Sequence, residues 1–263
     1  MQIDVHGHAV WCHSGGQRFD PARPTIVLVH GALNDHSVWQ RQSDALARQG
    51  YAVLAPDLPG HGASRGAALA SVEALAGWLL DLLHAANVER AVLAGHSMGA
   101  LVVLEAAARA PQRVVGLALL GAAYPMRVAD ALLAAARDDE DAAIEMVAGW
   151  SHTRETEPAI VDASRRLMRR LAGANPAQLL YTDLAACNAY ANGEAAAAAV
   201  TCPVTLVMGS KDKMTPPRAA ARLTAALPHA GLVTVEAGHA MLAEAPEAVL
   251  AALKSLADSG FSR

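Results

Sequence analysis

Between Thr25 and Leu120 the chain alternates two kinds of segment. Short runs are apolar at nearly every position: Thr25-Ile26-Val27-Leu28-Val29, Tyr51-Ala52-Val53-Leu54-Ala55, Ala91-Val92-Leu93-Ala94, and Val114 to Leu120. A strand buried on both faces has this pattern. Between the runs, apolar residues recur at helical spacing. Ser37 to Gln49 closes at Gly50, and Ser71 caps a helix to Ala86 with Leu75, Leu79, Leu82 and Leu83 on one face. Ala100 to Ala110 reads as a helix stopped by Pro111. Strand and helix in alternation predict a parallel sheet with right-handed crossovers. Ahead of it, Ile3 to Cys12 alternates polar and apolar residues, and Ser14-Gly15-Gly16 is a turn signal. The first twenty residues therefore read as an antiparallel edge hairpin.

From Tyr124 to Val200 the strand pattern lapses. Asp130, Asp141 and Thr156 stand near helix starts, and Asn175-Pro176 places a cap before a first-position proline. In Pro158 to Ala172, Ile160, Ser164, Leu167, Met168 and Leu171 mark one face, while Arg165, Arg166, Arg169 and Arg170 mark a solvated one. The α/β pattern resumes at Val204 to Met208, with a helix over Pro216 to Leu227, a strand over Leu232 to Val235 and a closing helix over Pro246 to Ala257. The expected architecture is α/β, a mostly parallel sheet with helices on both faces. Residues 1–123 and 201–263 form its core, and residues 124–200 form a helical cap.

Composition narrows the function more than the fold. Hydrophobic residues make up 53% of the chain but aromatics only 4%, so the core is aliphatic and no deep aromatic cage is expected. A net charge of −4 without a block of like charges argues against a nucleic-acid partner. Met1 to His6 alternates instead of forming an apolar leader, and the longest apolar run, Val114 to Ala123, is too short for a membrane span. Cys12, Cys187 and Cys202 are widely spaced and odd in number, which suggests reduced thiols and a cytoplasmic protein. His6, His8 and His13 with Cys12 match no zinc spacing, and a strand face accounts for His6 and His8, so no metal is expected. Monomer and homodimer both remain open.

The chemistry centres on Gly95-His96-Ser97-Met98-Gly99, set between an apolar strand and a helix. That context is the nucleophile elbow, a turn so sharp that the residues two away from the serine must lack bulk. The following helix start, with the Met98 amide beside Ser97, favours the negative charge that acyl transfer develops. A serine alcohol needs a base, and the base an orienting carboxylate. Four chemically suggestive segments end predicted parallel strands: His30-Gly31-Ala32, Ser97, Asp212 and His239. In an open α/β sheet that edge binds ligands. His96 lies within the elbow and points into the fold, whereas His239 follows the last strand and is the expected base. Asp212 has the strand-end position expected of the acid and precedes His239 in the chain. Asp57 reads as a brace of its turn and Asp183 as a structural residue of the cap.

These motifs together resemble the α/β-hydrolase superfamily, in the branch with a helical cap and esterase-like serine. They are His30-Gly31, Asp57-Leu58-Pro59-Gly60-His61-Gly62-x-Ser64, Gly95-His96-Ser97-Met98-Gly99, Gly209-x-x-Asp212 followed by Pro216-Pro217, and Gly238-His239. The resemblance spans nearly the whole chain. It implies a triad of Ser97, Asp212 and His239, an oxyanion hole of the Ala32 and Met98 amides, and no cofactor. Relatives that cleave carbon–halogen bonds or epoxides have aspartate at the elbow, so Ser97 points to an acyl-enzyme on a small ester or related acyl substrate. Carbon–carbon bond hydrolysis, enol-lactone opening, acyl transfer and cofactor-free perhydrolysis remain on the same residues, as does a ligand-binding fold-mate without activity. Leu33 and Met98 are pocket candidates by proximity, and Tyr124, Met126, Trp150 and Leu180 are those offered by the cap.

Overall fold

The computed structural model describes residues 1–175 and 178–262. Among these residues eight strands form one sheet: β1 (Gln2–Val5), β2 (His8–His13), β3 (Thr25–Val29), β4 (Ala52–Pro56), β5 (Ala91–His96), β6 (Val114–Leu120), β7 (Val204–Gly209) and β8 (Gly231–Val235). Their order across the sheet is β1-β2-β4-β3-β5-β6-β7-β8. β1 pairs with β2 and β2 with β4 antiparallel, and all the other neighbouring pairs are parallel. The fully apolar strands supply both faces of the sheet. Ile26 and Leu28 join the core on one side, Val27 and Val29 the core on the other, because successive side chains alternate.

One face is covered by α1 (Gln40–Arg48) and α11 (Pro246–Phe261), through Leu46, Val249 and Leu253. The other is covered by α2 (Val72–Ala85) and α3 (Met98–Arg109), through Leu75, Leu79, Leu101 and Val103. Ser71 caps α2 as its sequence predicts, accepting from the Ala74 amide at 3.1 Å. Two local features differ from expectation. The edge hairpin turns at His6-Gly7, not at Ser14 to Gly16, so both its strands lie inside the alternating run and His6 belongs to the turn. The helix expected from Pro216 opens as a 3-10 turn over Pro217–Ala220 before α9 (Ala221–Ala226).

Between β6 and β7 stand α4 (Asp130–Asp138), α5 (Glu140–Ser151), α6 (Pro158–Ala174), α7 (Leu179–Ala189) and α8 (Gly193–Ala199). The helix start expected at Asn175-Pro176 falls on Pro176, outside the described residues. The inserted helices have a core of their own: Leu132, Ala143, Ile144, Met168, Leu171 and Leu180 pack together, and Leu33 of the main body is buried among them. On α6, Arg165 and Arg169 reach carboxylates of α5, Glu145 and Asp141. Such exposed pairs contribute little each. Arg170 instead crosses to Asp35 of the main body at 2.7 Å. Among the described residues no helix is long and apolar enough to cross a membrane.

Candidate active site

The carboxyl ends of β3, β5, β7 and β8 deliver the chemistry-bearing residues to one edge of the sheet. β5 runs into Ser97, which opens α3 with φ 56° and ψ −118°. A non-glycine residue at positive φ costs energy and persists only where its surroundings enforce it. The enforcement is visible here. A Cβ on Gly95 would collide with the Gly99 carbonyl, and a Cβ on Gly99 with the Val29 carbonyl. Both collisions are with backbone, so the turn accepts only glycine at these places. The Ser97 amide donates to Leu120 O at 2.9 Å, which locks the turn to the end of β6. Its side chain remains partly open to solvent.

β8 leads to His239, which is 6% exposed, and β7 to Asp212, which is 4% exposed. His239 Nδ1–H donates to Asp212 Oδ2 at 2.8 Å. The carboxylate accepts three further hydrogen bonds at 2.8 Å, from the amides of Met214 and Thr215 and from the Thr215 hydroxyl. Burial alone would raise its pKa; the His239 and Thr215 donors more than offset that and hold it at about 2. With Nδ1–H committed to Asp212, the other ring nitrogen of His239 holds the free lone pair.

Thr215 was not singled out from the sequence. Its hydroxyl also lies 2.9 Å from Gly121 O and 3.1 Å from His239 Nδ1, so it sits where Asp212, His239 and the β6 end meet. A readable signal existed: an aspartate followed three residues later by a hydroxyl residue and then proline marks a side-chain-capped turn. His96 faces inward, as its place in the elbow suggests, and has a further task. Its Nε2–H donates to the His239 carbonyl at 2.9 Å, and the two rings are 4.7 Å apart. Burial, helped by His239, pushes the His96 pKa down to about 3, so it stays neutral. Glu244, in α10 (Met241–Glu244), accepts from the Gly238 amide at 2.6 Å, from the Thr153 amide at 2.8 Å and from the Thr156 hydroxyl. Together with the Ala240 amide on Ser151 O, it ties the His239 loop to the segment after α5.

The loop after β3 passes close to the serine: a methyl on Gly31 would lie 3.1 Å from the Ser97 Cβ. Ala32 follows and is partly exposed, whereas the Leu33 side chain is fully buried. His30 accepts from the Leu58 amide at Nε2, 3.1 Å, and donates from Nδ1 to Gly31 O, 2.9 Å. Both contacts require its neutral form, and burial with His61 nearby lowers its pKa to about 4. Of the proposed pocket residues, Leu33, Leu180 and Trp150 share the core of the inserted helices, with Ala32 and Met214 packed against it. Tyr124 and Met126 join the main core. The Tyr124 hydroxyl donates to Ala191 O at 2.6 Å and its ring lies edge-on to Tyr190, so it packs the base of the insertion.

Asp35, His36 and Asp57 form a cluster of potential metal ligands. Protein donors already fill it. Asp57 accepts from the amide and Nδ1 of His36 and from the Ala63 amide, and Asp35 from Ser37 and Arg170. This is the turn brace that the sequence suggests for Asp57.

A mostly parallel eight-stranded sheet, a serine on a strained strand-to-helix turn, and a histidine–aspartate pair from later strand ends define the alpha/beta hydrolase class. The chain belongs to the alpha/beta hydrolase family, whose model matches residues 26–252. It is 33% identical over 173 residues to Lipase LipV of Mycobacterium tuberculosis, a match covering 62% of this chain and 61% of LipV. It is 39% identical over 125 residues to the dihydrolipoyllysine-residue acetyltransferase component of the acetoin cleaving system of Pseudomonas putida, and spans 32% of that relative's length. Its structure is similar to the enol-lactonase from Burkholderia xenovorans LB400, with a TM-score of 0.85 over 100% of both chains at 25% identity.

Proposed function

We propose that this protein is a serine hydrolase acting on a small ester or related acyl compound through an acyl-enzyme on Ser97. The observation that carries this reading is the His239–Asp212 pair. Its 2.8 Å hydrogen bond fixes the imidazole tautomer that leaves a lone pair for the serine proton. Ser97 Oγ attacks the substrate carbonyl, and His239 Nε2 takes its proton. Asp212, held ionised by its donors, stabilises the resulting imidazolium. The Ala32 and Met98 amides hold the oxyanion, each worth about 3–4 kcal/mol where such donors have been removed elsewhere. His239 then protonates the leaving alcohol, and water deprotonated by His239 releases the acid from Ser97. No cofactor takes part. The substrate is a small molecule admitted between the inserted helices and the strand ends.

Hydrolysis of p-nitrophenyl esters and labelling by a fluorophosphonate are measured on the wild type and on Ser97→Ala. The wild type turns over and is labelled, and the variant does neither. Equal labelling of both would remove Ser97 from the reaction. A second reading, opening of a lactone by the same residues, is favoured by the full-length likeness to an enol-lactonase. Lactones of graded ring size belong in the same screen, and a kcat/KM above that of every open-chain ester would prefer it.

A further inference from the structure

The inserted helices place one carboxylate deep against the main body. Asp183 of α7 is 1% exposed, and a single oxygen, Oδ2, accepts from both the Leu33 amide at 2.8 Å and His61 Nε2 at 2.9 Å. Its partners lie 150 and 122 residues away in the chain. His61 is also 1% exposed, and its Nδ1 faces the Pro59 carbonyl at 3.1 Å. Acceptors at both nitrogens require a proton on each, so His61 is an imidazolium in a buried pair with Asp183. Burial opposes that charge, but Asp183 more than offsets the penalty and raises the His61 pKa.

The position of the Leu33 amide gives this contact its meaning. Two successive peptide groups form the loop beside Ser97. In the Gly31–Ala32 group, the carbonyl accepts from His30 Nδ1, so the Ala32 N–H on its opposite side points the other way. In the Ala32–Leu33 group, the carbonyl accepts from Asn34 Nδ2 at 3.0 Å and the N–H donates to Asp183. Both planes are thus held. Leu33 has φ 46°, a strained value that needs such holding. Its side chain, fully buried, packs with Leu179, Leu180 and Leu184 of the same helix that bears Asp183.

We propose that Asp183 is a positioning residue for the oxyanion hole: by gripping the Ala32–Leu33 peptide from the inserted helices, it aims the Ala32 N–H at the oxyanion. This rests on the serine-hydrolase reading and on Ala32 as a donor. Seating of the insertion is then a condition for chemistry as well as a wall for substrate.

The test compares the wild type with Asp183→Ala and Asp183→Asn, using p-nitrophenyl acetate, a fluorophosphonate and an alkylboronate. The boronate adds to Ser97 as a tetrahedral anion and reads the oxyanion hole directly. Asp183→Ala lowers kcat by about 10- to 100-fold, short of or reaching the loss from deleting a whole donor, with KM changed less than about threefold. Boronate affinity falls in parallel. Asp183→Asn, which keeps an oxygen acceptor for Leu33, recovers most of both. A merely structural role would lower the melting temperature but leave kcat per labelled site and boronate affinity unchanged, and that result overturns the inference. If Asp183→Ala does not fold, Asp183→Ser takes its place, being polar but one bond too short to reach the amide, and the same outcomes decide. If the wild type itself is not labelled, the hydrolase reading fails and this inference with it. Labelling of the wild type with unchanged kcat in the alanine variant defeats the inference alone.

Discussion

Replacing Thr215 by valine tests how Asp212 and His239 are held. The two side chains have nearly the same shape, so the change removes a hydroxyl and little else. That hydroxyl has one hydrogen, shared between Asp212 Oδ2 at 2.8 Å and Gly121 O at 2.9 Å, and it rests 3.1 Å from His239 Nδ1. Without it, one buried acceptor loses its donor, at a cost of about 1.5–3 kcal/mol because a carboxylate is involved. At about 2 kcal/mol, a domain of this size melts roughly 4–8 °C lower. Asp212 keeps its His239 and backbone donors, so under the proposed mechanism the effect on chemistry is far smaller than the ~10⁴-fold loss that follows when the carboxylate of a serine-hydrolase triad is disabled. A kcat reduction of about three- to tenfold at unchanged KM is expected. There is also a pH signature. Asp212 lies at about 2 instead of 3.8, so its stabilising contribution is present above pH 3.8 and lost as pH falls through about 2. With one donor fewer its pKa rises towards 3.8, so the variant has less of this stabilisation to lose, and the difference in melting temperature between the two proteins narrows as pH falls below 3.8. Calorimetry from pH 3 to 7, with ester kinetics at pH 7.5, reads both effects, and Thr215→Ser should restore them. A valine variant that melts with the wild type and keeps its kcat would show that the hydroxyl holds nothing.

Two further outcomes follow from the geometry. Gly95→Ala forces a Cβ into the Gly99 carbonyl and Ala100 amide, neither of which can yield, and costs more than about 4 kcal/mol; a variant with the wild-type melting temperature would refute the packing described for the elbow. His30 and His96 titrate near 4 and 3 in the fold against 6.5 when free, so the folded state binds fewer protons below pH 6.5. The contribution of these two histidines is therefore full above pH 6.5 and falls as pH drops towards 3, by up to ~2.7 kcal/mol per unit while both differ. His61 and His36, whose pKa values are raised, are protonated in both states there and do not offset the fall. Urea midpoints that stay flat from pH 6.5 to 4.5 would contradict this.

The sheet was legible because burial on both faces leaves a simple trace. Ile26, Val27, Leu28 and Val29 are all apolar since alternate residues serve different cores. The strand-end residues Ser97, Asp212 and His239 were legible for the same reason: a strand that stops at a polar residue announces its edge. Hairpin register was less legible, because His6-Gly7 and Ser14 to Gly16 both satisfy turn chemistry and only pairing decides between them. The contacts between insertion and main body could not be read. Asp183 finds Leu33 across 150 residues, and no local pattern distinguishes an aspartate that does so from one facing solvent. Leu33 looked like a pocket wall because it follows the loop beside Ser97, yet the left-handed backbone at that residue turns its side chain into the inserted helices.

That turned side chain limits how freely such an insertion can be exchanged. Leu33 belongs by sequence to the sheet and by packing to the helices above it. Glu244 does the same from the other side, reaching Thr153 and Thr156. A chimera carrying a foreign insertion on this sheet would need a socket for Leu33, an acceptor in place of Asp183 and donors for Glu244. The two parts of the molecule are matched components, and a graft that respected only the chain junctions near residues 123 and 201 would leave the strained loop without its partner.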